Sequence, residues 1–266
     1  MRENKFRKAL KREGPIFGGA GTDPQFIEML GHWGFDYVFL DNEHNPMNVD
    51  FMLQDLVRAA DSVNLPVVCR LKGLDEHLVR NALEMGIDGV IIPHIRSRQD
   101  AEKAVSYARF PPKGIRGSAA NTRVSEWGAG KGFNWNEFVK KSNEDVVVIG
   151  MGEDKAFFEN IDDILKTDGL SMINYGPTDL ATDMGLNVLY DLDAPPIKAA
   201  LEELTAKGNA RNIPVMCPAG SPNIERVRKM IKQGVKAIGL LSASKLYNEA
   251  CRKSMEEIIL PIREQK

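Results

Sequence analysis

The chain has 266 residues, 43% of them hydrophobic, and 35 Lys and Arg against 37 Asp and Glu give a formal charge of -2. This length can bury one large core, and an α/β barrel of such a size is usually a single domain. The charges are balanced and interspersed, which leaves no electrostatic footprint for nucleic acid. Three cysteines, Cys69, Cys217 and Cys251, form no CxxC pair. That pattern points to a reducing compartment without a disulfide framework. Cys69 and Cys217 lie in apolar runs and read as core residues. The first residues, MRENKFRKALKREG, are charged and helical with no apolar stretch behind them, unlike a signal peptide, and no run reaches membrane-spanning length. The expected setting is the cytoplasm.

In chain order, eight short apolar runs read as strands: PIFGG (15–19), DYVFLD (36–41), PVVCRL (66–71), GVIIP (89–93), VVVIGM (146–151), SMINYG (171–176), PVMCP (214–218) and AIGLL (237–241). Between them lie stretches of helical period, such as PQFIEMLGHWG, VDFMLQDLVRAADSV, EHLVRNALEMG and NIERVRKMIKQG. Several end in Gly after a polar turn, a usual helix terminus. Strands alternating with helices imply βαβ units and a parallel sheet. Eight units favour a closed (β/α)₈ barrel over an open doubly wound sheet, and no GxGxxG follows the first strand. One connection is long: FPPKGIRGSAANTRVSEWGAGKGFNW, within about 110–145, after a helix near 98–108. Such loops are commonly functional, and a lid or subunit contact is expected here. Its Arg116, Arg123 and Trp127 can touch substrate or pin the loop, and pinning is favoured.

In a barrel the C-terminal strand ends converge on one mouth. The second strand ends in Asp41-Asn42-Glu43-His44, the third at Arg70, the fifth runs into Glu153, and the sixth leads to Asp179 in YGPTDL. Singly, each has a plain structural reading: a capping Asp, a surface His, an ion-paired Arg, a Glu beginning a helix. Together they form a chemical set. Glu153 and Asp179 can hold a hard divalent cation with open positions. Such a cation chelates a 2-oxo acid and acts as a Lewis acid on a developing enolate. Arg70 can stabilise the same charge, and a His held by an Asp is a base for neutral pH. Pro46 stiffens the exit from this strand.

The ordered segments GFDYVFLDNEHNP, PVVCR, EMGIDGVIIP, ARFPPKGIRG and EDKAFFENIDDIL…DGL…GPTDLATDMG resemble the HpcH/HpaI aldolases, from about GPIFGGAG to AIGLL. These are class II pyruvate aldolases that include 4-hydroxy-2-oxoheptanedioate and 2-keto-3-deoxy-rhamnonate aldolases. The resemblance implies a (β/α)₈ barrel, a homohexamer of paired subunits with exchanged C-terminal helices (about 243–262 here), and Mg²⁺, Mn²⁺ or Co²⁺. It implies cleavage or formation of a 4-hydroxy-2-oxo acid, giving pyruvate and an aldehyde through a metal-bound enolate. By position, His44 would be the base and Asp41 its orienting partner. Arg70 would bind the keto oxygen, and Glu153 and Asp179 would be metal ligands. Gly176, Pro177 and Thr178 would line the pyruvate carboxylate, with amide donors from Gly176 and Thr178 only. Glu84 corresponds to an acidic residue that reaches a neighbouring subunit's site.

Four departures from the family pattern stand out. Met151 replaces a usual Gln two residues before the metal Glu. Asn174 and Tyr175 occupy usually apolar positions, Ala181 replaces Ser, and His94 follows IIP where the pattern has no His. In GMGED, Gly152 can also be set against the metal Glu of the pattern, and Glu153 is preferred because EDKAFFENIDDIL then runs to GPTD without a gap. Two competing readings remain: a decarboxylase or other lyase using the same enolate, motivated by Met151 and Asn174, and a non-catalytic barrel that has lost its metal, supported only by GMGED. The turn PAGSPN (218–223) reads equally as an anion-binding turn and as an ordinary helix cap.

Overall fold

Apolar runs too short for helices, buried on both faces, become the staves of a parallel barrel. The computed structural model describes residues 2–45, 49–129, 131–187, 191–220 and 223–264, and the side chains of all these but 49–51. Pro46 and part of the 218–223 turn lie outside the described residues. The strands are β1 Ile16–Ala20, β2 Tyr37–Asp41, β3 Val67–Arg70, β4 Gly89–Ile92, β5 Val147–Gly152, β6 Met172–Tyr175, β7 Val215–Pro218 and β8 Val235–Ser242. They pair in sequence order, and β8 closes on β1 in parallel register. All eight expected strands are present and form the (β/α)₈ barrel.

The helices are α1 Lys5–Leu10, α2 Pro24–His32, α3 Val49–Ser62, α4 Glu76–Met85, α5 Arg98–Ala108, α6 Trp135–Asp145, α7 Lys155–Glu159, α8 Ile161–Ile164, α9 Pro177–Asp183, α10 Pro195–Ala210, α11 Ile224–Lys232, α12 Ala243–Ser254 and α13 Leu260–Glu264. Local chemistry sets several starts. Asp23, Asp75, Ser97, Asn134 and Asn223 accept hydrogen bonds from the first-turn amides of α2, α4, α5, α6 and α11. Gly86, at φ 91°, ends α4 in the left-handed conformation that glycine adopts without a Cβ penalty.

Two apolar layers result. Outward strand residues such as Val38, Cys69, Val90, Ile173 and Cys217 pack against helix residues such as Leu56, Val79, Ala104 and Leu204. Inward residues, including Val68, Ile91, Ile149, Met172 and Met216, fill the barrel. Its N-terminal end is plugged by α1. Phe6 is fully buried and meets the Tyr37 ring edge-on, with centroids 5.5 Å apart. Polar contacts hold the plug. Asp88 accepts from the backbone amides of Lys5 and Val67, each at 2.9 Å, and Asp61 pairs with Arg2, Lys5 and Arg123.

The long connection is not at the mouth. α5 carries the chain back to the N-terminal end before residue 109, so the loop joins α5 to α6 there. Among the described residues, none from 109–134 lines the large cavity at the mouth. The expected lid is therefore corrected by the course of α5, while the pinning role of two arginines holds. Arg116 is buried with its guanidinium 4.5 Å from the Phe110 ring centroid, and burial lowers its pKa to about 10. Arg123 is tied to Asp61. Trp127 is 55% exposed.

Phe6→Ala removes the plug's only fully buried aromatic ring from α1. It should destabilise the protein by about 3–5 kcal/mol in urea unfolding, as for other buried Phe truncations, while leaving the mouth intact.

Candidate active site

The strand ends surround a cavity of about 1000 Å³ at the barrel mouth. Asp41, His44 and Arg70 line one side, and Gly176, Thr178 and Asp179 line another. Met151 and Asn174, paired in register on β5 and β6, also line it.

Arg70 ends β3 beside Asp41 at the end of β2, because the two are register partners. Its Nε and Nη2 donate to Asp41 Oδ1 and Oδ2 at 2.9 and 2.7 Å, and its Nη1 lies 2.9 Å from Glu43 Oε2. Burial alone would raise the Asp41 carboxyl, but the Arg70 fork outweighs it and holds Asp41 below the usual range. A guanidinium has five N–H donors, so donors remain on both Nη atoms for a ligand. The fork also changes the expected pairing of Asp41 with His44. Asp41 Oδ1 accepts from the backbone amides of Glu43 and His44 at 3.1 and 3.4 Å, while the His44 ring is 61% exposed with Nε2 3.8 Å from Glu43 Oε2. Asp41 orients the turn that carries His44 rather than its imidazole.

Glu153 follows β5 and is 1% exposed. Its Oε1 accepts from the His94 backbone amide at 2.7 Å, and its Oε2 has no partner. Burial pushes this carboxyl up to about 7; the His94 amide and imidazole oppose the rise, and Asp179 and Glu43 add to it. Gly176 is required here, since a Cβ would come within 2.6 Å of Glu153 Cβ and 2.8 Å of its Oε2. Asp179 sits in the first turn of α9. An orphaned, buried carboxylate oxygen with Asp179 close enough to repel it is the environment a divalent cation would relieve. The residues present therefore fit the metal that the resemblance implies.

The remaining expected positions divide. Gly176 donates its amide to Gly152 O at 3.1 Å, so that donor is spent on the sheet. Thr178 keeps a first-turn amide without an intrahelical acceptor, together with a buried, unpartnered Oγ1. Pro177 is the first residue of α9. Glu84 lies in the last turn of α4, electrostatically coupled to Arg116, and does not line the mouth of its own barrel.

Sequence reasoning left two partners undeveloped. His94 takes φ 54° and brings Nδ1 to 3.5 Å from Glu153 Oε1 and 3.2 Å from Asp154 Oδ2. Asp154, the last residue of GMGED, also accepts from Arg96 at 3.0 Å. The signal for both was a polar residue two positions past the end of an apolar strand, β4 for His94 and β5 for Asp154.

A profile described as HpcH/HpaI aldolase/citrate lyase matches residues 19–250. The chain belongs to this family. It is 27% identical over 254 residues to a 5-keto-4-deoxy-D-glucarate aldolase of Shigella boydii and 28% identical over 252 residues to that of Salmonella arizonae, each match covering 94% of both chains. Among solved structures, an HpcH/HpaI aldolase/citrate lyase family protein from Burkholderia cenocepacia J2315 superposes with a TM-score of 0.83 at 26% identity, over 96% of this chain and 99% of that one. The chain is thus an aldolase-type carbon–carbon lyase.

The elevated Glu153 carboxyl has a measurable consequence. Its folded pKa of about 7 stands above its ordinary 4.5, so between these values the folded state holds a proton that the unfolded chain releases. Stability through this group falls as pH rises across that window. In chelator, Glu153→Gln should unfold at a higher temperature than the native protein at pH 8, and this advantage should shrink toward pH 5. Thermal unfolding at a series of pH values checks it.

Proposed function

We propose that this enzyme cleaves a 4-hydroxy-2-oxo acid to pyruvate and an aldehyde, and runs the reverse addition. The observation that carries the reading is the buried Glu153 carboxylate with one orphaned oxygen, electrostatically coupled to Arg70 at the same barrel mouth. The family relatives named as aldolases support it.

In this reading Glu153 and Asp179 hold a divalent cation. When bound, it supplies Lewis-acid polarisation of the 2-oxo acid. Thr178 receives the substrate carboxylate through its amide and its free Oγ1, with Gly176 and Pro177 shaping the wall. Arg70 presents its spare N–H groups to the keto oxygen, where charge develops as the C3–C4 bond breaks. Asp41 and Glu43 fix that guanidinium in place, which lowers the reorganisation needed during the reaction. His44, exposed on the cavity edge, takes the proton from the C4 hydroxyl. The aldehyde leaves, and protonation at C3 completes pyruvate. Glu84 and the exposed apolar side chains of the C-terminal helices, such as Leu246 and Ile258, belong to contacts between subunits of a cytoplasmic homohexamer. Mg²⁺, Mn²⁺ or Co²⁺ serves as the cation.

The facing Met151 and Asn174 favour a second reading on the same site, decarboxylation of a 2-oxo diacid through the same charge distribution.

The test is release of pyruvate from a panel of 4-hydroxy-2-oxo acids, followed by a lactate dehydrogenase coupled assay. Glu153→Gln and His44→Ala should each lower kcat/KM by roughly 10²-fold or more, in the range of single catalytic groups. Full activity in both variants would refute the reading. Carbon dioxide with no aldehyde among the products would select the decarboxylase.

A further inference from the structure

β4 ends at Ile92, and two residues later His94 adopts φ 54°. Residues other than glycine enter that region uncommonly, and such positions cluster at working sites. The turn does two things here. It aims the His94 amide at Glu153 Oε1, and it sets the imidazole among carboxylates. Nδ1 is 3.5 Å from Glu153 Oε1 and 3.2 Å from Asp154 Oδ2, and Nε2 is 3.7 Å from Glu43 Oε1. One donor atom each from His94, Glu153 and Asp154 lies within 4.8 Å of the others, a spacing that one cation can span. Asp154 is itself held by Arg96. Ligating imidazoles are usually steadied by a carboxylate of this sort. A second observation points to a cation at this place: Glu153 is 1% exposed and its Oε2 is unpartnered beside Gly176.

We propose that the cation bound at Glu153 also takes an imidazole nitrogen from His94, which tilts the site, among the ions named above, toward Co²⁺ over Mg²⁺. This rests on the assignment of a metal to Glu153 above, and adds a ligand from the turn after β4 to Glu153, which follows β5, and Asp179, in the first turn of α9. Oxygen-only sets suit Mg²⁺ and Mn²⁺, whereas an imidazole tilts a site toward Co²⁺, Fe²⁺ or Zn²⁺.

The experiment uses the full-length protein loaded with Mn²⁺ as a spectroscopic probe, and titrated separately with Co²⁺ and Mg²⁺ by calorimetry. His94→Asn is the main variant. Asparagine tolerates the left-handed backbone, so the amide bond to Glu153 survives while the imidazole is lost. Pulsed electron paramagnetic resonance of the native Mn²⁺ protein should show ¹⁴N modulation of the imidazole type, and His94→Asn should lose it. Co²⁺ affinity should fall about 10-fold or more in the variant, within the range for lost metal-site partners, and Mg²⁺ affinity should stay within about 3-fold. Bound Mn²⁺ without ¹⁴N modulation, together with unchanged Co²⁺ affinity in His94→Asn, would overturn the inference and leave the aldolase reading intact. No divalent cation bound by the native protein would overturn both. Cation binding that survives Glu153→Gln with ¹⁴N modulation retained would remove Glu153 from the set and keep His94.

Discussion

A carboxylate buried at the barrel mouth without a full set of partners organises this protein. Glu153 is almost inaccessible, accepts one backbone hydrogen bond, and leaves its other oxygen unmatched. In a folded core such a group is costly unless something charged arrives to meet it. Its surroundings intensify the demand. Burial pushes its pKa upward, and Asp179 and Glu43 add to the rise. The His94 amide, Arg70 and Gly176 answer in part, each by a different means: a dipole, a distant positive charge, and a missing Cβ that leaves room. The site holds unmatched negative charge before any ligand binds.

The barrel makes this arrangement possible. Parallel strands put their C-terminal ends on one rim, so residues distant in sequence meet without long loops. Asp41 and Arg70 meet because β2 and β3 pair in that register, and their two-point ion pair holds the guanidinium still. At the opposite end, α1, Asp61 and Asp88 close the barrel floor with apolar packing and paired charge. Stability and chemistry are thereby separated to opposite ends, and changes at one end need not disturb the other.

Much of this was legible in the residues. Each strand announced itself as a short apolar run buried on both faces, and every expected run became a stave. The rim chemistry was legible because the fold class itself says where strand ends go: Asp41, Arg70 and Asp179 all line the cavity. Through-space partners were less so. Asp41 and His44 are three residues apart, yet Asp41 spends its carboxylate on Arg70, because a register neighbour with a forked donor outcompetes an exposed ring. Gly176 spends its amide on Gly152 O for a similar reason, the continuation of the sheet. His94 and Glu153 meet only through a positive φ, which sequence pattern does not encode for histidine. The long connection reads as a lid only if it leaves a strand end directly, but α5 intervenes and takes it to the other end.

The central claim is that this site stabilises negative charge on a 2-oxo acid at C3. It is tested most directly by following the methyl protons of pyruvate by NMR in D₂O with the native protein, first with Mn²⁺ or Co²⁺ and then after chelation. The account predicts enzyme-dependent exchange of the methyl protons for deuterium that stops on chelation and is lost in Glu153→Gln. Methyl protons that persist at the solvent rate with every metal, at enzyme concentrations that show bound cation, would contradict it.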